Sequence, residues 1–185
     1  MIIKNFELDK INIKNFNLFL FYGDNQGFKD EIVEKICQQK NLKKTLHFEK
    51  EVLSNTENFL NSISTKSFFE NEKIIVIKSA TDKLKEIIND IYELQNPDIT
   101  LILISDLLDK KSKLRNFFEK TKNVICIPFY PDEHKDLNMI AINFFKKKGI
   151  KISQQTINLI INRANQSRQH LNSELQKIEN FAFSK

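Results

Sequence analysis

Four short apolar runs recur along the chain: Leu18-Phe19-Leu20-Phe21-Tyr22, Ile74-Ile75-Val76-Ile77, Leu101-Ile102-Leu103-Ile104 and Val124-Ile125-Cys126-Ile127. Unbroken runs of this length suit strands buried on both faces, the situation of a mostly parallel sheet covered by helices on both sides. Between the runs, apolar residues fall at helical spacing. Leu84, Ile87, Ile88, Ile91 and Leu94 form one stripe, closed by Pro97, and Lys113 to Lys120 forms a further helical stretch. Pro128 ends the last run, because proline cannot donate to a sheet ladder. The pattern predicts an α/β domain. His47 to Leu53 is a weaker candidate for an added edge strand, since Glu49, Lys50 and Glu51 interrupt it.

The first run ends in Gly23-Asp24-Asn25-Gln26-Gly27, and Phe28, Ile32, Val33 and Ile36 then predict a helix from Phe28 to Gln39. Asp30 and Glu31 are expected in its first turn, where the helix dipole favours them. Strand, glycine turn and helix make the opening of a P-loop-like unit. The residues for nucleotide chemistry are missing from it. A hydrolysing P-loop reads GxxxxGK[ST], whereas this turn places its second glycine one position early; counted from Gly27, Phe28 stands where lysine belongs, and counted from Gly23, Asp30 stands where a hydroxyl belongs. The run Ile74 to Ile77 leads into Lys78-Ser79-Ala80 with no acidic pair to hold magnesium. His47, His134 and His170 lie far apart with no nucleophile or ligand spacing, and are read as ordinary surface or boundary residues.

After Pro131 the periodicity becomes purely helical. Asp132 to Lys148 carries Leu137, Ile140, Ala141, Phe144 and Phe145 on one face, with Gly149 placed to cap it. Ser153 caps a second helix bearing Ile157, Ile160 and Ile161, and a third starts near Ser167 with Leu171, Leu175, Ile178 and Phe181. The expected organisation is an α/β domain over residues 1–131 and a small three-helix domain over 132–185.

Composition narrows the class. With 41% hydrophobic and 29% charged residues the chain is expected to fold without staples. Cys37 and Cys126 belong to no CxxC or Cys/His cluster, so neither a disulfide framework nor zinc is indicated. The N-terminus has no secretory pattern and no segment approaches a membrane span, so the expected location is the cytosol, with no membrane partner. The net charge of +5 permits nucleic-acid contact without requiring it. Lysine dominates the basic residues, arginine standing only at 115, 163 and 168, which fits a broad compositional bias.

The run Thr65-Lys66-Ser67-Phe68-Phe69-Glu70-Asn71-Glu72-Lys73-Ile74-Ile75-Val76-Ile77 resembles one in the delta subunit of the bacterial DNA polymerase III clamp loader, where a bulky apolar residue and a Phe precede the third strand of a degenerate AAA+ domain. Three other stretches agree in order and spacing. Leu20-Phe21-Tyr22-Gly23-Asp24 is similar to the family's first strand and glycine turn. Leu101 to Ser105 followed by Leu108-Asp109-Lys110-Lys111-Ser112-Lys113 resembles its later strand and basic turn, and Glu174-Leu175-Gln176-Lys177-Ile178 its E-L-x-K-L helical motif.

The resemblance implies a degenerate AAA+ α/β domain with a three-helix lid, and a non-catalytic subunit without cofactor. That subunit would bind the sliding clamp, hold one interface open for loading onto primed DNA, and work with other loader subunits in the bacterial cytoplasm. The family's C-terminal collar domain is expected to lie outside residues 1–185, and Glu70 departs from the family's usual small residue. The implied clamp-binding residues are Phe68 and Phe69 with Ser67. An arbitrary Phe pair packs in a core, but this one is flanked by Lys66, Ser67, Glu70, Asn71, Glu72 and Lys73, as a protruding tip would be. Phe59, Leu60 and Ile63 upstream are read as the packing face that supports it. Lys110, Lys111, Lys113 and Arg115 are candidate DNA contacts, as is the run Lys146 to Lys148. A nucleic-acid-binding module using these lysine faces is the alternative reading.

Overall fold

The structure is a computed structural model and describes residues 15–64 and 72–184. The element order is β1 (Leu18–Tyr22), α1 (Gln26–Lys40), β2 (Lys44–Phe48), α2 (Glu49–Ser54), α3 (Thr56–Ser64), β3 (Lys73–Lys78), a single 3-10 turn (Asp82–Leu84), α4 (Lys85–Glu93), β4 (Ile99–Ile104), α5 (Lys113–Lys120), β5 (Ile125–Pro128), α6 (His134–Lys148), α7 (Gln154–Arg163) and α8 (Arg168–Phe183). The described residues divide into two compact units, one drawn from residues 15–23, 32–64 and 72–129, the other from 24–31 and 130–184.

The first unit is built on a five-stranded sheet of order β2-β3-β4-β1-β5, every pairing parallel. All four apolar runs read from the sequence are strands. β1, β4 and β5 are buried at every residue, and β3 at all but its terminal lysines. Side chains alternate between faces, so Leu18, Leu20, Tyr22, Ile75, Ile77, Leu101, Leu103 and Cys126 share one core cluster with Ile87, Ile88 and Ile91 of α4 and Leu114 and Phe118 of α5. Each such side chain contributes roughly 1.5–3 kcal/mol on burial. The intervening Phe19, Phe21, Ile102 and Ile125 are fully buried as well, which is why these strands read as unbroken apolar runs. Pro128 is the last residue of β5, on the sheet edge.

Several boundaries differ from the sequence reading: β5 starts at Ile125 where Val124 was expected, α6 at His134 where Asp132 was expected, and two further shifts have a local cause. The edge strand lies at Lys44–Phe48, upstream of the expected His47 to Leu53, and Glu49 starts a helix instead. The cause is local: Glu51 reaches back to accept the Phe48 N–H at 2.9 Å, and acidic residues stabilise a helix N-terminus. Helix α1 begins at Gln26, two residues early, so Asp30 and Glu31 fall outside its first turn. Asn25 explains the early start, because its side-chain oxygen accepts the Phe28 N–H at 3.1 Å.

In the second unit Leu137, Ala141, Phe145, Ile157, Ile160, Ile161, Ala164, Leu171 and Leu175 form one core between α6, α7 and α8. Ser153 accepts from the Thr156 N–H and Ser167 from the His170 N–H, the two helix starts expected. Gly149 closes α6 at φ +68°, donating to Lys146 while Ile150 donates to Phe145. No helix among the described residues is long and apolar enough to cross a membrane.

Candidate functional site

Four places in the sequence carried functional expectations: the glycine turn, the end of β3, the segment before β3 and the basic turn before α5. Taking the glycine turn first, Gly23 sits at φ +118° and donates to the Asp106 carbonyl, and a Cβ there would come within 2.3 Å of the Phe129 carbonyl oxygen. Only glycine fits. Gly27 is equally closed in, since its Cβ would lie 2.6 Å from the Gln169 backbone nitrogen at the start of α8. Lys29, two residues beyond Gly27, is buried.

Beside this turn stands an ionic cluster that the sequence reading did not single out. Arg168 donates from Nε and Nη2 to the two oxygens of Asp132, at 2.8 and 2.6 Å, and from Nη1 to Glu31 at 2.9 Å. Its guanidinium lies 3.8 Å from the centroid of the Phe28 ring. Asn25 donates to Asp132 at 2.8 Å and to the Tyr130 carbonyl at 3.0 Å, and Asn172 donates to the other oxygen of Glu31 at 2.7 Å. The side chains of Arg168 and Asp132 are 9% and 7% exposed, so this bidentate pair is largely desolvated. A signal existed in the sequence: among 29 basic residues only three are arginine, and a lysine cannot supply the planar fork this cluster uses.

At the end of β3, where a metal-holding acidic pair would belong, Lys78 and Ser79 stand instead, and the carboxylates of Glu49 on α2 and of Asp82 bond to backbone amides and hydroxyls. Glu49 is buried and accepts from the Thr81 N–H at 2.6 Å and its hydroxyl at 3.0 Å. Asp82 accepts from the Ser112 hydroxyl at 2.5 Å and from the Lys113 and Leu114 amides at 3.0 Å. Partial desolvation pushes the Asp82 carboxyl up, but the Ser112, Leu114 and Lys113 hydrogen bonds outweigh it and hold it below the ordinary carboxylate value. No cluster of metal-ligating side chains occurs among the described residues. Cys126, free and enclosed beneath the sheet, has its thiol pushed up to about 12 by burial, which leaves no thiolate for chemistry.

Phe68, Phe69 and Ser67 lie outside the described residues. The elements on either side are firmly packed: α3 buries Phe59 and Ile63, with Leu60 partly buried, and β3 lies between β2 and β4. The expectation that Phe59, Leu60 and Ile63 form a packing face agrees with this.

The basic turn is well ordered by its own bonds. Ser112 caps α5 by accepting the Arg115 N–H, and Asn116 donates to the Lys110 and Ser112 carbonyls. Lys110, Lys111 and Lys113 are exposed. Arg115 is occupied differently from the lysines: it pairs with Glu119 at 2.7 Å, donates to the Leu108 carbonyl at 2.9 Å and stacks on Tyr22 at 4.9 Å. In the second unit Lys146 and Lys147 are exposed, and Lys148 pairs with Glu179. His47 stacks edge-on against Phe59, while His134 and His170 are exposed at helix starts, as ordinary boundary and surface residues are.

Comparison with known proteins gives a family match over part of the chain and a likeness in fold. Residues 19–128 match the sequence profile of the family described as DNA polymerase III, delta subunit. No curated protein sequence matches the chain. Among solved structures, the Bacillus subtilis DNA clamp loader delta protein superposes with a TM-score of 0.60 at 15% identity, covering 91% of this chain and 54% of that one. A Thermotoga maritima RuvB variant gives 0.59 at 12% identity, covering 91% of this chain and 57% of its own. Domain III of the Thermotoga maritima replication initiation protein DnaA gives 0.54 at 15% identity, with 97% and 82% covered. At these identities the likeness concerns fold, which is that of a degenerate AAA+ α/β protein. The chain spans about half the length of the Bacillus subtilis protein.

Proposed function

The chain belongs to the DNA polymerase III delta-subunit family, and from that premise we propose that it binds the ring-shaped sliding clamp through Phe68 and Phe69 and favours the open ring during loading onto primed DNA. The observation that carries this reading is the family match over residues 19–128, which spans the glycine turn, the Phe68-Phe69 segment and every strand of the sheet. Two adjacent aromatics entering an apolar pocket are the kind of anchor that dominates an interface. Ser67 before them and Glu70 after them would shape the same contact. A clamp-opening ligand works by binding the open ring more tightly than the closed one, because only differential affinity moves that equilibrium.

The subunit is proposed to act without turning over a nucleotide itself. Its glycine turn departs from the P-loop pattern, and the carboxylates Glu49 and Asp82 near β3 bond to the backbone. Neighbouring loader subunits would then supply any hydrolysis, and the bacterial cytoplasm is the compartment in which such an assembly works. Size-exclusion chromatography with the purified clamp tests the reading. Co-elution of the chain with the clamp, and separate elution of the Phe68→Ala, Phe69→Ala variant, are the expected results. Co-elution of the variant would remove the aromatic wedge from the proposal.

A second reading has one observation in its favour, the exposed Lys110, Lys111 and Lys113 on the turn that follows β4. They would contact the phosphates of DNA held by the assembled loader, with Arg115 bracing the turn. Charge reversal of the three lysines is expected to weaken DNA binding and flatten its salt dependence, read by fluorescence anisotropy. An unchanged salt slope would exclude the turn as a DNA contact.

A further inference from the structure

Within the second unit, two helix N-termini and an arginine converge on one place. Helix α1 starts there with Asn25 as its cap, α8 starts there behind Ser167, and Arg168 is the first residue of α8. Helix starts carry partial positive charge and, with an arginine added, make a ready site for an anion such as a phosphate. In this chain the anions present are its own. Asp132 takes two hydrogen bonds from Arg168 and one from Asn25, and Glu31 takes one from Arg168 and one from Asn172. The close approach of the Gln169 backbone to Gly27 leaves no room for so much as a methyl group there.

We propose that Asp132 and Glu31 act as built-in anions and that Arg168, held between them, is a latch fixing the start of α8 to the N-terminal part of α1, Gln26 to Glu31, without any bound ligand. In nucleotide-binding proteins that share a glycine turn leading into a helix, phosphate fills such a position and its arrival or departure changes the local structure. Here the charges are covalently part of the chain, so the latch is closed whatever the nucleotide level. The geometry explains why an arginine is needed: its three nitrogens meet three carboxylate oxygens, while the ring of Phe28 lies against the guanidinium. A lysine would keep the charge and lose the fork. Breaking one side of a desolvated pair leaves the other charge unpaired, so the latch opens sharply on substitution.

Hydrogen exchange on the full chain, read by mass spectrometry with and without magnesium and inorganic triphosphate, tests the latch. In the native chain, peptides covering residues 24–31 and 165–172 are expected to exchange at rates that triphosphate changes less than twofold. In Arg168→Met and in the Asp132→Asn, Glu31→Gln double variant the same peptides are expected to exchange at least tenfold faster, with peptides from β1, β3 and β4 unchanged. Arg168→Lys, which keeps the charge, is expected to lie closer to Arg168→Met than to the native chain, and it serves if either neutralised variant fails to fold. Exchange within twofold of native in Arg168→Lys and Arg168→Met would overturn the proposal. So would a native chain that triphosphate protects, because the anion would then come from outside. The clamp is absent from the assay, so its result is separable from that of the clamp-binding reading.

Discussion

Single side chains in this molecule are mostly explained by the hydrogen bonds they are placed to make, and Asp82 is the clearest case. It accepts from Ser112, Lys113 and Leu114 at the start of α5, and those bonds hold its carboxyl below its ordinary value. A carboxyl depressed in the folded state stabilises the fold fully above its unfolded value of about 3.9, and that contribution is lost as pH falls through the folded value. Asp82→Asn is therefore expected to cost on the order of 1 kcal/mol near neutral pH, as losing a helix-start acceptor does. The gap between the two proteins in urea midpoint should shrink as pH drops below that of the free side chain. A gap that stays constant with pH would mean that the charge of Asp82 contributes nothing. The role of Asp82 was not readable from the sequence, because it acts on Leu114, 32 residues away; for Arg168 the rarity of arginine was a signal, but its partners Glu31 and Asp132, 137 and 36 residues away, were not.

At the scale of elements, legibility followed burial. β1, β3, β4 and β5 are enclosed on both faces and announced themselves as apolar runs; β2 is an edge strand, exposed at Lys44, Thr45, Leu46 and Phe48, and gave no run to read. Its expected position therefore slid onto Glu49 to Leu53, where α2 forms instead. The helical unit was legible for the same reason in reverse, through stripes that its core bears out except at Phe181, which was expected on the stripe of the third helix and is 78% exposed near the end of α8, beyond the packed core. Leu171 is fully buried between the helices while Leu159 is 68% exposed on α7. Leu171→Ala should cost about 2–5 kcal/mol, and Leu159→Ala should fall within about 0.5 kcal/mol of native. Chemical denaturation followed by helical circular dichroism reads both. Equal losses at the two sites would contradict the assignment of the bundle's inner face.

At the scale of the whole molecule, family membership is what the proposed place in clamp loading rests on, and the aromatic pair is its proposed means of action. Phe68 and Phe69 fall between α3 and β3, two elements anchored in the core of the first unit. A rigid base matters for such a wedge, because binding energy held in a loosely supported loop is reduced by the entropy of ordering it. Loss of each ring is expected to cost on the order of 2 kcal/mol of clamp affinity, which is more than tenfold in Kd apiece. Calorimetric titration of this chain into the clamp of the same organism, alongside the Phe68→Ala, Phe69→Ala variant, tests the proposal most directly. Saturable binding by the native chain that vanishes in the folded variant is the expected result. Equal affinity in the two, or no binding by a folded native chain, would contradict it.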